Sequence, residues 1–149
     1  MITAEWFFGD AELKEIHAIR RAVFIEEQGV SEADEMDGTD IGAMHLLVRE
    51  DGMPVATGRI LIENETFTLG RIAVLKNLRG QKYGDFVMRL LIGKAFELGG
   101  NEQHLHSQTH AVKFYEKYGF KTVTDVYIEA GIPHVGMTRA GGPVLCRGE

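Results

Sequence analysis

Residues 71–88, RIAVLKNLRGQKYGDFVM, join the pattern of a β-strand to that of an amphipathic helix through a turn that contains glycine. The turn comprises Arg79, Gly80, Gln81, Lys82, Tyr83 and Gly84. A turn of this kind at a helix N-terminus presents unpaired backbone N–H groups, and the helix dipole favours negative charge there. Because Arg79 and Lys82 add positive charge, the stretch predicts a pyrophosphate site. An ordinary tight turn into a core helix explains the same residues, and short glycine motifs are too common to decide between the two.

A second motif, FYEKYGF, occupies residues 114–120. A tyrosine hydroxyl beside a leaving thiolate can return a proton to it, which is the work of a general acid. Aromatic residues at helical spacing also fill cores, and for Phe114 and Phe120 we favour that interpretation. For Tyr115 the sequence leaves both roles open.

Outside these motifs the chain predicts a mixed α/β sheet in a single domain, residues 1–149. A first strand ends at residues 6–8, and a helix with Asp10 as its N-cap follows and ends near residues 28–29. Residues 31–42 are acidic, and we expect an irregular segment there. The remaining elements are strands over residues 43–49, 55–62 and 67–74, a helix closed by residues 99–100, a strand over 104–108, a helix with residues 111–115, and two final strands.

The composition of the chain limits its compartment and its partners. No stretch approaches the ~20 apolar residues that span a bilayer, and the first residues lack the pattern of a signal peptide. The lone cysteine, Cys146, cannot form an internal disulfide, which fits a reducing compartment. The net charge of −6 disfavours nucleic acid and anionic lipid as partners. We therefore expect a cytoplasmic protein that binds neither nucleic acid nor a membrane.

Together the two motifs resemble those of the GNAT superfamily of acyl-CoA-dependent acetyltransferases. The usual first motif runs Arg-Gly-x-Gly-x-Gly into a helix, and here Lys82 stands in place of the middle glycine. The usual second motif has Asn, Ala and then Tyr-Glu-Lys-x-Gly-Phe. Gln108, Ala111 and residues 115–120 match it at the same spacing, with Gln in place of Asn.

Within the superfamily the chain most resembles the ElaA-like branch. The closer match is carried by Val23-Phe24, Glu27-Gln28, Asp37, Asp40, His45, Gly70-Arg71, Gln108 and Ile132-Pro133-His134. Because one fold serves many reactions, these motifs bear on fold and cofactor more than on the acceptor.

The resemblance implies an α/β GNAT fold: a mixed, mostly antiparallel central sheet, splayed between its fourth and fifth strands and flanked by helices. It implies acetyl-CoA as donor, with pantetheine in the splay and pyrophosphate on the glycine turn. Tyr115 would be the general acid, and an amine of a small molecule or peptide would attack directly in a ternary complex. The implied cofactor-binding residues are Ile72, Ala73, Val74, Arg79, Gly80, Gln81, Lys82, Tyr83, Gly84, Gln108, Phe114 and Tyr115.

The general base is not evident from the sequence. An acceptor amine has a pKa near ~10 and must lose a proton before it attacks. Many GNAT enzymes carry a Glu for this purpose on the strand before the glycine turn, but Gly70 stands near that position here. His45 and Glu27 are candidates, as are Asp37 and His134. For each of them a salt bridge or a buried polar contact is the favoured alternative.

The acceptor side is predicted to include Glu27, Asp37, Arg59, Arg71 and His134. If a hairpin is centred near Glu65, Arg59 and Arg71 lie opposite each other and require a negative partner. That partner is Glu27, Asp37, Asp40 or a substrate carboxylate, and we favour an internal salt-bridge network. The acidic run over residues 26–42 would attract a cationic amine.

No metal is predicted, because His104, His106 and His110 lack a convincing third ligand. Two alternatives to the acetyltransferase interpretation remain open from sequence. An acyl-homoserine-lactone synthase-like enzyme shares the fold, and a non-catalytic CoA-binding module would have no use for the Tyr115 hydroxyl. The final residues, 141–149, either fray or pair with a partner chain, which leaves a homodimer open.

Overall fold

The computed structural model describes residues 1–9 and 11–144, and in them eight strands form one mixed sheet. The sheet order is β1-β2-β3-β4-β5-β8-β6, with β7 paired to β8, and only the contact of β4 with β5 is parallel. The strands are β1 (Ile2–Phe8), β2 (Ala43–Glu50), β3 (Met53–Glu63), β4 (Thr66–Val74), β5 (Glu102–Gln108), β6 (Lys121–Thr122), β7 (Tyr127–Glu129) and β8 (Ile132–Ala140). The helices are α1 (Lys14–Arg20), which continues as a π-helical segment (Arg21–Glu27), α2 (Glu32–Glu35), α3 (Tyr83–Glu97) and α4 (Val112–Glu116), with 3₁₀ turns at Thr39–Gly42, Lys76–Leu78 and Thr109–Ala111.

The two long helices cover opposite faces of the sheet. Successive residues of a strand point to opposite faces, and Leu46 packs in the core under α3 while Leu47 packs in the core under α1. α3 lies close against β3, because a Cβ added at Gly58 would come within 2.8 Å of the Leu91 and Val87 side chains. This packing holds the middle of the sheet rigidly beneath α3.

The predicted splay between the fourth and fifth strands is confirmed. β4 and β5 pair only where residues 67–69 meet residues 103–105, and the two strands then separate. β4 also carries a bulge at this point, since Arg71 and Ile72 together oppose the single residue Gly58. Arg71 adopts a left-handed conformation (φ 48°), which accommodates the extra residue. The bulge therefore lies next to the point where β4 separates from β5.

Several predicted elements need correction. The first helix begins at Lys14 rather than near Asp10, which lies outside the described residues, and its second half is π-helical. The segment expected to be irregular holds α2, capped by the Ser31 hydroxyl, and a 3₁₀ turn. Three strands follow α4 instead of two, because the short β7 gave no periodic signal. Of the predicted tail, residues 145–149, including Cys146, lie outside the described residues.

Candidate active site

A cavity of about 600 Å³ opens beside the gap between β4 and β5. Its wall combines residues of both strands with the end of the first helix, the segment over residues 31–42 and β8. Seven residues that the sequence predicted for the site lie in this wall: Asp37, Arg59, Arg71, Ile72, Gln108, Tyr115 and His134. The other predicted residues lie outside it: Glu27, His45, Ala73, Val74, residues 79–84 and Phe114.

Tyr115 of the FYEKYGF motif is part of the cavity wall. Its ring packs edge-on against Phe114 and Phe120, at centroid distances of 5.2 and 6.4 Å. Among residues 1–9 and 11–144 the hydroxyl has no hydrogen-bond partner. Burial raises the pKa of Tyr115 to about 12. The phenol therefore keeps its proton at neutral pH and is available to give it to a base in the cavity.

The turn before α3 has the conformation that the glycine motif requires, although one of its residues is lysine. Lys82 is left-handed (φ 69°, ψ 16°), like Gly80 (φ 83°). A left-handed backbone is costly for a residue with a Cβ. Lys82 therefore adopts, at an energetic cost, a conformation that glycine adopts readily. None of the described side chains caps the helix at Lys82, and the amides of the first turn stay available to an anion.

Arg79 of this turn is held by Glu27 and by the end of β4. Its Nη1 and Nη2 donate to the two Glu27 carboxylate oxygens at 2.5 and 2.7 Å, and its Nε donates to the Val74 carbonyl at 3.1 Å. The hydrogen bond from Arg79 lowers the pKa of Glu27. Glu27 is therefore a weakened base outside the cavity wall, and the geometry does not favour it as the general base.

The residue next to Glu27 contacts the other side of the gap. Gln28 accepts a hydrogen bond at 2.8 Å from Gln108 at the end of β5, and Gln108 in turn accepts from His110 at 2.6 Å. The first helix thus contacts the β4 side through Glu27 and the β5 side through Gln28. The π-helical segment ends here, with the Gln28 amide bonded five residues back to the Val23 carbonyl.

A buried ion-pair network neutralises the predicted arginines. Asp40 Oδ1 accepts from Arg59 and from Arg20, both at 2.8 Å. Burial alone would raise the pKa of Asp40, but the hydrogen bond from Arg20 and the nearby charges hold it well below its usual range. Arg71 lies 3.0 Å from Glu35 and 3.5 Å from Asp37. Both arginines therefore have internal partners, as the favoured interpretation expected.

The register that led to this expectation is off by one residue. Arg59 lies opposite Gly70 rather than Arg71, because the hairpin is centred between Asn64 and Glu65, with Glu63 paired to Thr66, and not on Glu65. The bulge at Arg71 lies beyond this pair. A left-handed arginine within a strand leaves no recognisable pattern in the sequence.

Two members of the network were not singled out from sequence. Arg20 and Glu35 are 1% and 2% exposed and are joined at 2.5 Å. Arg20 lies four residues after Ile16 and three before Val23, on the buried face of the helix, and this spacing was an available signal. Glu35 gave none, because its burial depends on how residues 31–42 fold over the sheet.

His45, the other candidate for the base, is fully buried away from the cavity wall. Its Nε2 lies 3.1 Å from the Asp40 carbonyl oxygen, and its Nδ1 has no partner among the described residues. Burial lowers the pKa of His45. This geometry suits a neutral histidine that supports the ion-pair network and does not favour proton transfer with a bound acceptor.

His134 lies in the cavity wall on β8, directly opposite Gln108 in the register of β5 and β8. Its Nδ1 lies 2.7 Å from the Ile132 carbonyl oxygen, and its Nε2 lies 4.0 Å from Glu129. Tyr127 stacks on its ring at 6.1 Å. His106 lies in the same wall and bonds the Tyr127 hydroxyl at 2.5 Å. Two imidazoles, a phenol and a carboxylate therefore meet at one side of the cavity.

Neither metal ligation nor a membrane span is evident in residues 1–9 and 11–144. No group of three or more His, Cys, Asp or Glu side chains in these residues is placed to hold a metal ion. No helix within them is both long and apolar enough to cross a bilayer.

Comparison with known proteins gives the family. The model of the acetyltransferase (GNAT) domain matches residues 13–140. YyaT of Bacillus subtilis is 43% identical over 133 residues, which cover 87% of this chain and 90% of YyaT. ElaA of Escherichia coli is 36% identical over 135 residues, which cover 87% of this chain and 88% of ElaA.

Two solved structures, 32% and 31% identical in sequence to this chain, have the same fold. The crystal structure of Escherichia coli ElaA matches with a TM-score of 0.83 at 32% identity. The match covers 93% of this chain and 99% of the ElaA chain. An acyl-CoA N-acyltransferase from Pseudomonas aeruginosa matches with a TM-score of 0.83 at 31% identity and covers 94% and 100%.

The chain therefore belongs to the GNAT acetyltransferase family, as its two motifs predicted, and within that family it is ElaA-like. The family uses acyl-CoA, and membership in it indicates a transferase. The acetyl group, the amine acceptor, a homodimer and the cytoplasmic location stay predictions.

Proposed function

We propose that the protein is an acetyl-CoA-dependent N-acetyltransferase that acetylates an amine of a small molecule or peptide by direct attack in a ternary complex. The observation that carries this proposal is the separation of β4 from β5 beside a cavity whose wall includes Tyr115. β4 leads through a short connection to the N-terminus of α3, where no side chain among the described residues caps the helix, so an anion could bind there.

The residues present fit acetyl-CoA, which supplies an acetyl group activated as a thioester. The amides of residues 79–84 would hold the pyrophosphate, with Lys82 adding charge. Beyond Leu69, β5 no longer pairs with β4 in the described residues, so the β4 backbone at Ile72 can bond an extended pantetheine as a strand would. The Val74 carbonyl is held by Arg79 and becomes available when that side chain moves.

Tyr115 would complete the reaction by protonating the leaving sulfur. Its proton stays in place at neutral pH because burial raises its pKa to about 12. A thiolate that receives this proton leaves as a neutral thiol, which prevents its return to the carbonyl carbon. Asp37 and His134 lie in the same wall and would contact the acceptor.

Thiol release from acetyl-CoA, measured across a panel of small amines, polyamines and peptide N-termini, tests this function. We expect release that depends on one class of amine, together with the N-acetylated product by mass spectrometry. Binding of acetyl-CoA by calorimetry without release for any amine would point to a non-catalytic CoA-binding module. Products formed only from S-adenosylmethionine and longer acyl donors would point to an acyl-homoserine-lactone synthase-like enzyme.

A further inference from the structure

We propose that His134 is the general base that deprotonates the acceptor amine, with its tautomer set by the Ile132 carbonyl. This inference rests on the proposed N-acetyltransferase function and assigns the proton acceptor that the sequence leaves open.

The hydrogen bond to Ile132 decides which nitrogen of His134 can act. A carbonyl oxygen only accepts, so the contact of 2.7 Å requires that Nδ1 carries the proton in the neutral ring. Nε2 then holds the lone pair, and His134 lines the cavity in which an acceptor would bind. A backbone carbonyl that orients one ring nitrogen leaves the other prepared to take a proton.

A carboxylate lies beside the nitrogen that would take the proton. Glu129 on β7 is 4.0 Å from His134 Nε2. The other titratable groups that face His134 are Tyr127, stacked on its ring, and His106 on β5, whose Nδ1 lies 3.9 Å from Glu129. The His134 side chain is 9% exposed and that of Glu129 is 46% exposed, so the imidazole is buried while the carboxylate reaches solvent.

The other candidates for the general base are less suited to it. Glu27 is bound to Arg79, and His45 is buried outside the wall. Asp37 lies in the wall, and its burial acts to raise its pKa, but bonds from Thr39 and the charge of Arg71 produce a net lowering. Of the four candidates that the sequence offers, Glu27, Asp37, His45 and His134, only His134 combines a place in the wall with a ring nitrogen left unprotonated by its own hydrogen bond.

His134 and Tyr115 together account for every proton that moves during acetyl transfer. The acceptor enters as an ammonium and gives one proton to His134 Nε2, which later passes it to water. The freed amine forms a C–N bond with the acetyl carbon. As the C–S bond breaks, the sulfur takes the Tyr115 proton, and the second proton of the acceptor nitrogen restores the tyrosine. The products are an amide, a free thiol and one proton.

Replacement of His134 with glutamine tests the assignment against a matched control on the same sheet. His104→Gln removes an imidazole on β5 that is paired with Glu102 at 2.9 Å and is not part of the cavity wall. We expect His134→Gln to lower kcat by about 10²–10⁴-fold and to remove the acidic limb of the kcat/KM pH profile. His104→Gln should keep both, and calorimetry should show unchanged acetyl-CoA affinity in both variants.

A direct measurement keeps the assignment testable if His134→Gln misfolds. ¹⁵N NMR of the wild-type imidazoles should show His134 in the Nδ1–H tautomer when neutral. An Nε2–H tautomer would overturn the assignment.

The failure of this inference is distinguishable from the failure of the proposed function. If wild type acetylates an amine and a folded His134→Gln variant does so at the same rate with the same pH profile, only the assignment of the base is wrong. If wild type releases no thiol with any amine, the proposed function fails and the assignment fails with it.

Discussion

Arg79 and Glu27 form a two-pronged ion pair, with N–O distances of 2.5 and 2.7 Å, that joins the turn before α3 to the end of the first helix. In this arrangement the guanidinium that the sequence assigned to the pyrophosphate is bound to a carboxylate. If Arg79 contacts the pyrophosphate, its ion pair with Glu27 competes with that contact.

Removal of the Glu27 carboxylate should strengthen the binding of acetyl-CoA. The pair is partly exposed, and pairs of this kind contribute up to about 1 kcal/mol, so Glu27→Gln should lower the Kd by at most about fivefold. Arg79→Glu should weaken binding, because it places a carboxylate near the phosphates. Calorimetry at constant ionic strength measures both. Equal Kd values in wild type and both variants would show that Arg79 does not contact the cofactor.

The left-handed backbone of Lys82 predicts an unusual response to mutation. Lys82→Gly should raise the free energy of unfolding by about 0.5 kcal/mol, because a left-handed Cβ costs about 1–2 kcal/mol and the added chain entropy of glycine offsets much of that gain. Lys82→Val should lower it by about 1 kcal/mol or more, since a β-branched residue is least suited to this conformation. Urea unfolding of the two variants provides the measurement. If valine were tolerated as well as glycine, the turn would not have the conformation described.

Two ion pairs between the same elements differ in burial and should differ in energy. Arg20 and Glu35 are buried at 2.5 Å, whereas Arg21 and Glu32 are exposed at 2.6 Å. Glu35→Gln should cost about 3–5 kcal/mol of unfolding free energy, because Arg20 and Arg71 both lose a buried carboxylate and Arg20 keeps only Asp40, which it shares with Arg59. Glu32→Gln is the matched control, and its effect should be close to the error of the measurement. Similar losses in both variants would mean that burial does not determine the strength of these pairs.

The pattern of the chain was sufficient for the sheet and for the glycine turn, because both rest on local periodicity and spacing. The turn was recognised at Lys82 despite the missing glycine, since the neighbouring Arg79, Gly80 and Gly84 keep the motif in place. The Arg20–Glu35 pair could not be predicted, because two charges become buried partners only when residues 31–42 fold over the first helix. The Glu129–His134 contact was hidden for a similar reason, since it depends on a strand of three residues.

The same distinction applies to the predicted site residues: local motifs place some of them, and the fold decides the partners of the others. Tyr115 and Gln108 follow from a motif of fixed spacing and lie in the cavity wall. Glu27 and His45 were chosen as bases from residue type, and their actual partners, Arg79 and the Asp40 carbonyl, come from distant parts of the chain. A side chain's chemistry is visible in sequence, but its partner is fixed by the fold.

Turnover and acetyl-CoA affinity of Tyr115→Phe, measured side by side with wild type, test the central claim most directly. The substitution keeps the ring and its contacts with Phe114 and Phe120 and removes only the hydroxyl. We predict a fall in kcat of about 10²–10⁴-fold with a nearly unchanged Kd for acetyl-CoA, because the hydroxyl acts on the leaving sulfur and not on binding. Wild-type kcat in this variant, with an acceptor that wild type acetylates efficiently, would contradict the account and leave Tyr115 as a packing residue.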